Sequence, residues 1–99
     1  QARAPGRPDA SLSVKSRASR RFWRLYEALP PAIRRAADKQ FALWRQNPRH
    51  RSLHFKRIKG DVWSARVNDD FRALAALDGD TWLWFWIGPH DEYERLLKT

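Results

Sequence analysis

The sequence predicts an α+β domain in which an N-terminal helical hairpin packs on a four-stranded antiparallel meander sheet, followed by a short C-terminal helix. Three observations predict this class. Apolar residues repeat with the period of a helix between Ser19 and Asn47. After Arg51 the period changes to two, in four short runs that turn residues separate. The last run is followed by Gly88-Pro89 and then by a segment with helical periodicity.

Two helices account for the first half of the domain. In the first helix, apolar residues recur at spacings of three and four, at Phe22, Leu25, Tyr26 and Leu29. Ser19 is the predicted N-cap, and Pro30-Pro31 ends this helix while Pro31 opens the next one. The second helix has its own apolar stripe, formed by Ile33, Ala37, Phe41 and Trp44. Asn47-Pro48 ends it.

Four strand-like runs follow, at 52–58, 62–67, 71–77 and 81–87. Connections this short require antiparallel neighbours, which gives a meander. The stretch 14–18 is a candidate for a further short strand. In the last run, strict alternation predicts one face with Trp82, Trp84 and Trp86 and another with Leu83, Phe85 and Ile87. Because both faces are apolar, we expect this strand to be buried on both sides.

Length and composition limit the alternatives. The 99 residues are expected to form one domain at 14–99, preceded at 1–13 by a disordered basic arm or a non-native extension. The chain contains no methionine, which fits a trimmed or extended N-terminus. It contains no cysteine, which excludes disulfides and thiolate metal sites and favours a cytoplasmic protein. No apolar run approaches the roughly 18–20 residues of a membrane span, so we expect no membrane association.

The positive charge is unevenly distributed. The net charge is +9, and within 14–57 the only acidic residues are Glu27 and Asp38, whereas 58–99 carries more carboxylates than cations. A basic half of this kind predicts a polyanionic partner, nucleic acid first and an acidic protein second. A basic surface with no specific partner is the alternative that charge alone leaves open.

Strand alternation places several chemically useful side chains at one end of the sheet. Arg66 and Arg72 flank the same tight turn, so we expect them to lie close together on the face that the helices leave open. His90 follows the end of the last strand, with Tyr93 behind it. In the first run the side chains point alternately to two sides, with His54 and Lys56 on one and Phe55 and Arg57 on the other.

This set of side chains suits phosphoryl chemistry on RNA. The ribose 2′-hydroxyl is an internal nucleophile, so the protein must orient it, take its proton and neutralise charge on the phosphate. The guanidinium group matches phosphate oxygens, and histidine can act as a base or an acid near neutral pH.

Other chemistries find less support in the residues. His50, His54 and His90 have neither cysteine partners nor the spacing of a helical zinc pair, and there is no Gly-rich phosphate loop. Structural roles also remain open at this point. The two arginines can pair with Asp69 and Asp70, and the histidine after the last strand can simply cap the final helix.

One ordered pattern of segments is more specific than any single motif. The segments are FWRLYEALPPAI, FALWRQNP, SLHFKRI, WSARV, FRAL, DGDTWLWFWIG and HDEYERLL, within about residues 14–98. This pattern resembles the RelE/ParE superfamily, the toxins of bacterial type II toxin–antitoxin pairs. The similarity is to the short branch whose members end in a W-F-W-I-G-x-H-x-E-Y-x-R-L-L tail. It implies the fold described above, which is RelE-like.

The resemblance also implies an activity and a site. Ribosome-dependent members are metal-independent mRNA endoribonucleases that need no cofactor and inhibit translation. Carried over to this sequence, their catalytic positions fall on Arg66, Arg72 and His90. Residues expected to bind substrate are Lys56, His54, Arg57, Tyr93 and Ser64. Ser64 stands where some members have a lysine, and Tyr93 substitutes for a tyrosine that would fall near Leu96.

The implied partners are a cognate antitoxin, whose acidic or amphipathic segment would cover the open sheet face, and mRNA on the ribosome. No membrane and no small-molecule cofactor are expected. Two alternatives remain: a ParE-like toxin that inhibits DNA gyrase without nuclease activity, and a non-catalytic basic RNA-binding module. The fold is shared between the two toxin branches, so it does not decide between them.

Overall fold

The computed structural model describes residues 15–98, which form three α-helices and one sheet. The elements follow in the order β1 Lys15–Ala18, α1 Arg20–Glu27, α2 Pro31–Gln46, β2 Lys56–Lys59, β3 Val62–Arg66, β4 Phe71–Asp78, β5 Thr81–Pro89 and α3 His90–Lys98. The predicted arm at 1–13 lies outside the described residues. None of the helices in 15–98 has the length and apolar character needed to cross a membrane.

The sheet has five strands in the order β1-β5-β4-β3-β2. Strands β2 to β5 form the predicted antiparallel meander, and the α+β class is confirmed. The candidate strand near the start of the chain adds a fifth, because β1 pairs in parallel with β5 and places Lys15 opposite Thr81. The ammonium of Lys15 donates to the carboxylate of Asp80 at 2.9 Å, and this hydrogen bond lowers the pKa of Asp80. Strand β5 is therefore an interior strand, flanked by β1 and β4, and β4 is the middle strand of the five.

The helix boundaries follow the local sequence signals. The Ser19 hydroxyl accepts a hydrogen bond from the backbone N–H of Phe22 at 3.1 Å, which caps α1. Pro31 is the first residue of α2, where its missing N–H costs nothing. Helix α2 ends at Gln46 with Asn47 as its C-cap. The predicted N-cap of α1 and both predicted ends of α2 are confirmed, whereas α1 ends already at Glu27, before Pro30, so Leu29 lies after the helix.

A bulge in β5 overturns the predicted alternation of its side chains. Trp86 is opposite Leu74, but Trp84 is opposite Ala75, so the register shifts by one residue between the two pairs. An extra residue of this kind reverses the side that all later residues face. Trp84 and Ile87 consequently pack in the same cluster with the hairpin, and Trp86 packs on the other face. The predicted grouping of Trp86 with Trp84 is wrong.

Each face of the sheet carries its own apolar cluster. On the hairpin side, the buried ring of Trp44 contacts Trp84 edge-on, with ring centroids 5.0 Å apart. On the opposite side, Tyr93 of α3 packs with Leu74 and Trp86. Helix α3 therefore covers part of the face that was expected to be free of helices, because the bulge sends a large aromatic side chain to that side.

The first strand-like run is shorter than predicted. A 3₁₀ turn occupies Arg51–Leu53, and the strand begins only at Lys56 instead of residue 52. The side chain of His50 accepts from the backbone N–H of Ser52 at 3.2 Å, which stabilises this turn. His54 then adopts a left-handed backbone conformation, with φ 44° and ψ 42°, and redirects the chain into β2.

Close packing at Gly88 leads to a testable prediction for stability. A Cβ atom at this position would lie 2.7 Å from Cζ2 of Trp86, whose ring is buried. We expect Gly88→Ala to lower the free energy of unfolding by about 1–3 kcal/mol, since the buried indole must shift within the packed cluster to make room for the methyl group. Urea denaturation measures this difference. In a Trp86→Leu background the additional cost should disappear, and a cost that persists there would show that the clash is not the cause.

Candidate functional site

A polar cleft lies on the α3 side of the sheet, where β3 ends, β4 begins and α3 starts. Its volume is about 130 Å³. The residues that line it are His54, Lys56, Ser64, Arg66, Arg72, His90, Tyr93 and Glu94. The structure thus brings together every predicted site residue except Arg57, which is opposite Trp63 in the β2–β3 ladder and does not line the cleft.

The strand register explains why these side chains meet. Arg66 and Arg72 are directly opposite each other in the β3–β4 pair, and Gly88 is opposite Arg72 in the next pair. Residues opposite each other in neighbouring strands point to the same face of a sheet. His90 follows Gly88 by two residues, so it reaches the rim of the cleft beside the arginines. Lys56 of β2 is opposite Ser64, which is two residues before Arg66 on β3, so Lys56 points to the same face one row away.

The turn between β3 and β4 holds both guanidinium groups. Arg66 forms an ion pair with the exposed carboxylate of Asp69. Arg72 donates from Nη1 to the backbone oxygens of Asn68, at 2.6 Å, and Phe71, at 2.9 Å. Each guanidinium has five N–H donors, so both retain donors for an anion in the cleft. The pairing with a neighbouring carboxylate that the sequence left open is present for Arg66.

His90 is fixed at the rim by its backbone and by two side chains. Its N–H donates to the carbonyl oxygen of Asp70 at 2.7 Å, which ties the start of α3 to the β3–β4 turn. Its ring lies against that of Tyr93, with centroids 5.4 Å apart. Its Nε2 is 3.5 Å from Oε2 of Glu94, one helical turn later. The imidazole is 39% exposed, so it is accessible to a ligand as well as oriented.

Ser64 and Tyr93 form the floor of the cleft. Both are buried, and the Tyr93 hydroxyl is 3.2 Å from Oγ of Ser64, to which it donates. In the described structure these hydroxyl groups are engaged with each other beneath His90. Contact of either group with a substrate therefore stays a prediction.

His54 lines the cleft from a strained position. Among residues 15–98 it is the one non-glycine residue with a positive φ. Histidine occurs in this region more often than most residues, but the conformation still costs on the order of 1 kcal/mol. Such strain persists only where the surrounding structure imposes it, and it clusters at functional sites.

Two substitutions at this position separate backbone strain from the function of the ring. We expect His54→Gly to be more stable towards unfolding than His54→Ala by about 1 kcal/mol, because glycine accepts a positive φ freely. Both variants lack the imidazole, so a difference in stability between them reports on the backbone alone. Urea denaturation measures this difference. Equal stability of the two variants would show that the backbone here is not left-handed.

A second, larger cavity lies between the hairpin and the other face of the sheet. This apolar groove has a volume of about 220 Å³ and is lined largely by aromatic and aliphatic side chains. Two of its lining residues are unusually exposed for large apolar side chains, Trp23 at 51% and Phe41 at 40%. It has no cluster of cations and imidazoles like that of the polar cleft. Across residues 15–98, no three His, Cys, Asp or Glu side chains come together as a metal site.

Comparison with known families decides the relationship. The sequence model of the ParE-like toxin domain matches residues 31–95. The chain belongs to this family. The matched segment begins with α2 and includes strands β2 to β5 and all the residues that line the polar cleft. None of the curated proteins matches the chain.

Solved toxin structures share the fold of this ParE-like domain. In the RelBE2 toxin–antitoxin complex from Mycobacterium tuberculosis, the matching chain is 22% identical with a TM-score of 0.63, over 78% of this chain and 98% of that chain. YafQ from E. coli is 11% identical with a TM-score of 0.66, over 81% of this chain and 97% of YafQ. In the archaeal RelE–RelB complex from Pyrococcus horikoshii, the matching chain is 15% identical with a TM-score of 0.60, over 78% of this chain and 94% of that chain. At these identities the likeness establishes the common fold.

One residue of the cleft in this ParE-like domain was not predicted from the sequence. Glu94 lines the cleft and approaches His90, yet it was not among the candidate residues. The available signal was its spacing of four from His90 on a predicted helix, which places both side chains on one helix face.

Proposed function

We propose that this ParE-like toxin is a ribosome-dependent endoribonuclease that cuts mRNA and thereby inhibits translation. The polar cleft carries this proposal. It combines two arginines and a lysine with an accessible histidine, in a space of about 130 Å³. A protein that only bound nucleic acid would need the cations but not an oriented imidazole among them.

The proposed reaction uses the substrate's own nucleophile. Arg66 and Arg72 contact the oxygens of the scissile phosphate and stabilise the charge that develops there. His90 serves as the general acid/base beside the phosphate, where it accepts the proton of the ribose 2′-hydroxyl. The bond from phosphorus to the 5′-oxygen then breaks, and this oxygen takes up a proton. No protein nucleophile and no metal ion is required for this route.

The other cleft residues are proposed to hold the RNA chain on either side of the phosphate. Lys56 and His54 are exposed on the β2 side of the cleft, where they can contact neighbouring phosphates or an unpaired base. Ser64 and Tyr93 support the floor and keep the imidazole in place. Arg57 is proposed to contribute only to the general positive field, since it is not part of the cleft.

The proposed partner is an antitoxin with an acidic or amphipathic segment. Relatives of known structure include toxins bound to RelB. In the described part of this chain, exposed Arg20 and Arg24 flank exposed Trp23, which also lines the apolar groove. A segment with one acidic and one apolar face would complement this surface.

Mapping of RNA ends tests the proposal. Purified protein is added to ribosomes programmed with a defined mRNA, and primer extension locates new 5′ ends. We expect ends within the codons at the ribosome and none on the same mRNA without ribosomes. The His90→Ala variant, purified in the same way, is the control for contaminating nucleases.

Intact mRNA in the presence of correctly folded protein would contradict the proposal. Inhibition of DNA gyrase in a supercoiling assay would then favour the gyrase-directed branch of the family. Salt-sensitive RNA binding with no new 5′ ends and no effect on gyrase would indicate a binding module.

A further inference from the structure

A carboxylate in the polar cleft has no evident use in binding an anion. Of the cleft residues described within 15–98, Glu94 is the one that carries a carboxylate, and it shares the cleft with Lys56, Arg66 and Arg72. A negative charge at this place repels a phosphate and weakens the attraction of the cations. Substrate binding alone would therefore favour a neutral side chain at this position. We therefore expect the carboxylate of Glu94 to have a role other than binding substrate.

The geometry of α3 indicates what that role is. Oε2 of Glu94 lies 3.5 Å from Nε2 of His90, and the two side chains are separated by one helical turn. The ring of Tyr93 restrains the imidazole from a second side, and the hydroxyl of Tyr93 is itself fixed on Ser64. The imidazole of His90 thus has a carboxylate oxygen 3.5 Å from one ring nitrogen and the Tyr93 ring beside it, tilted by 40°. Histidines that act as bases are commonly oriented by a third group in this way.

We propose that Glu94 is a positioning residue that sets the tautomer and orientation of His90. In this role its carboxylate accepts a hydrogen bond from Nε2–H, so the proton stays on Nε2 and Nδ1 carries the lone pair that acts as the base. The proton of the 2′-hydroxyl passes to Nδ1 as the 2′-oxygen bonds to phosphorus. The bond to the 5′-oxygen breaks at the same phosphorus, and the departing oxygen takes a proton from solvent. This role rests on the proposed nuclease function.

The proposal predicts opposite effects on turnover and on substrate binding. We expect Glu94→Gln to lower kcat by about tenfold or more, because the amide neither fixes the tautomer nor stabilises the imidazolium that forms. The half-saturating concentration of programmed ribosomes should fall or stay equal, since a repulsive charge leaves the cleft. Loss of packing or of folding would instead lower kcat and raise the half-saturating concentration. Glu94→Asp keeps the charge and should recover part of kcat.

Two controls isolate the effect of this carboxylate. Glu92→Gln removes an exposed carboxylate from the same helix outside the cleft, and it should leave kcat unchanged. In a His90→Ala background, Glu94→Gln should cause no further loss, because Glu94 acts through the imidazole. A full additional loss in that background would overturn the proposal.

The outcomes separate this proposal from the nuclease function itself. Wild-type protein that leaves mRNA intact overturns the nuclease function and this role with it. Wild-type protein that cleaves, together with a Glu94→Gln variant that keeps full kcat, overturns the role of Glu94 alone. Long-range ¹H–¹⁵N spectra of the His90 ring provide a readout without turnover. The proton should reside on Nε2 in the wild type and be shared between both nitrogens in Glu94→Gln; an identical tautomer in both proteins would overturn the proposal.

Discussion

We expect His90→Ala to lower the rate of mRNA cleavage by about 10²–10⁴-fold, the usual contribution of a general acid or base. The imidazole of His90 is partly exposed at the rim of the cleft that Arg66 and Arg72 also line, whereas the other imidazole of the cleft, that of His54, is on the β2 side. The side chain is on the rim and is partly exposed, so its removal should change the free energy of unfolding little. Single-turnover cleavage on programmed ribosomes measures the rate.

A matched control for this variant is Asp91→Ala, the exposed neighbour of His90 in the first turn of α3. It should cleave mRNA at nearly the wild-type rate. Cleavage that survives His90→Ala would contradict the assigned role. The proton transfer would then have to be reassigned to Tyr93 or to the arginines.

The second large effect is expected at Arg66, with Arg57 as its matched control. Arg66→Ala should lower cleavage by about 10²–10³-fold, which is the typical cost of removing one preorganised donor to the reacting group. Arg57→Ala removes the same charge from a strand next to β3, but outside the cleft, and should change cleavage only a few-fold. Rates of both variants, measured at the same ionic strength, test the comparison.

Equal losses in these two variants would contradict a phosphate site in the cleft, because they would show that overall charge decides the activity. Arg66→Lys adds a further distinction. Lysine keeps the charge but cannot offer two parallel donors, so it should recover binding more fully than turnover.

Much of the fold could be predicted because its signals are local. The change of period after Arg51 and the turn residues between the runs define the hairpin and the meander. The meeting of Arg66 with Arg72 follows from the short connection between β3 and β4, since a tight turn fixes the register of the strands beside it. The order of the sequence segments predicted a toxin of the RelE/ParE superfamily, and the match to the ParE-like toxin domain confirms it.

The features that were missed depend on single residues whose signals in the sequence are weak. All six residues from Trp82 to Ile87 are apolar, so the sequence cannot show where the bulge lies or that Trp86 faces α3. The left-handed conformation of His54 delays the start of β2, and a single histidine, although enriched in this region, is too weak a signal to predict the turn. Glu94 was overlooked because a carboxylate on a charged helix usually faces solvent.

The chemistry of the RNA ends tests the central claim most directly. Fragments produced on programmed ribosomes by the unaltered protein are isolated, and their termini are analysed by labelling with polynucleotide kinase and by mass spectrometry. Attack by the 2′-hydroxyl predicts a 5′-hydroxyl on the downstream fragment and a 2′,3′-cyclic phosphate, or its hydrolysis product, on the upstream one. A 5′-phosphate on the downstream fragment would contradict attack by the 2′-hydroxyl, and the absence of fragments altogether would contradict the nuclease function.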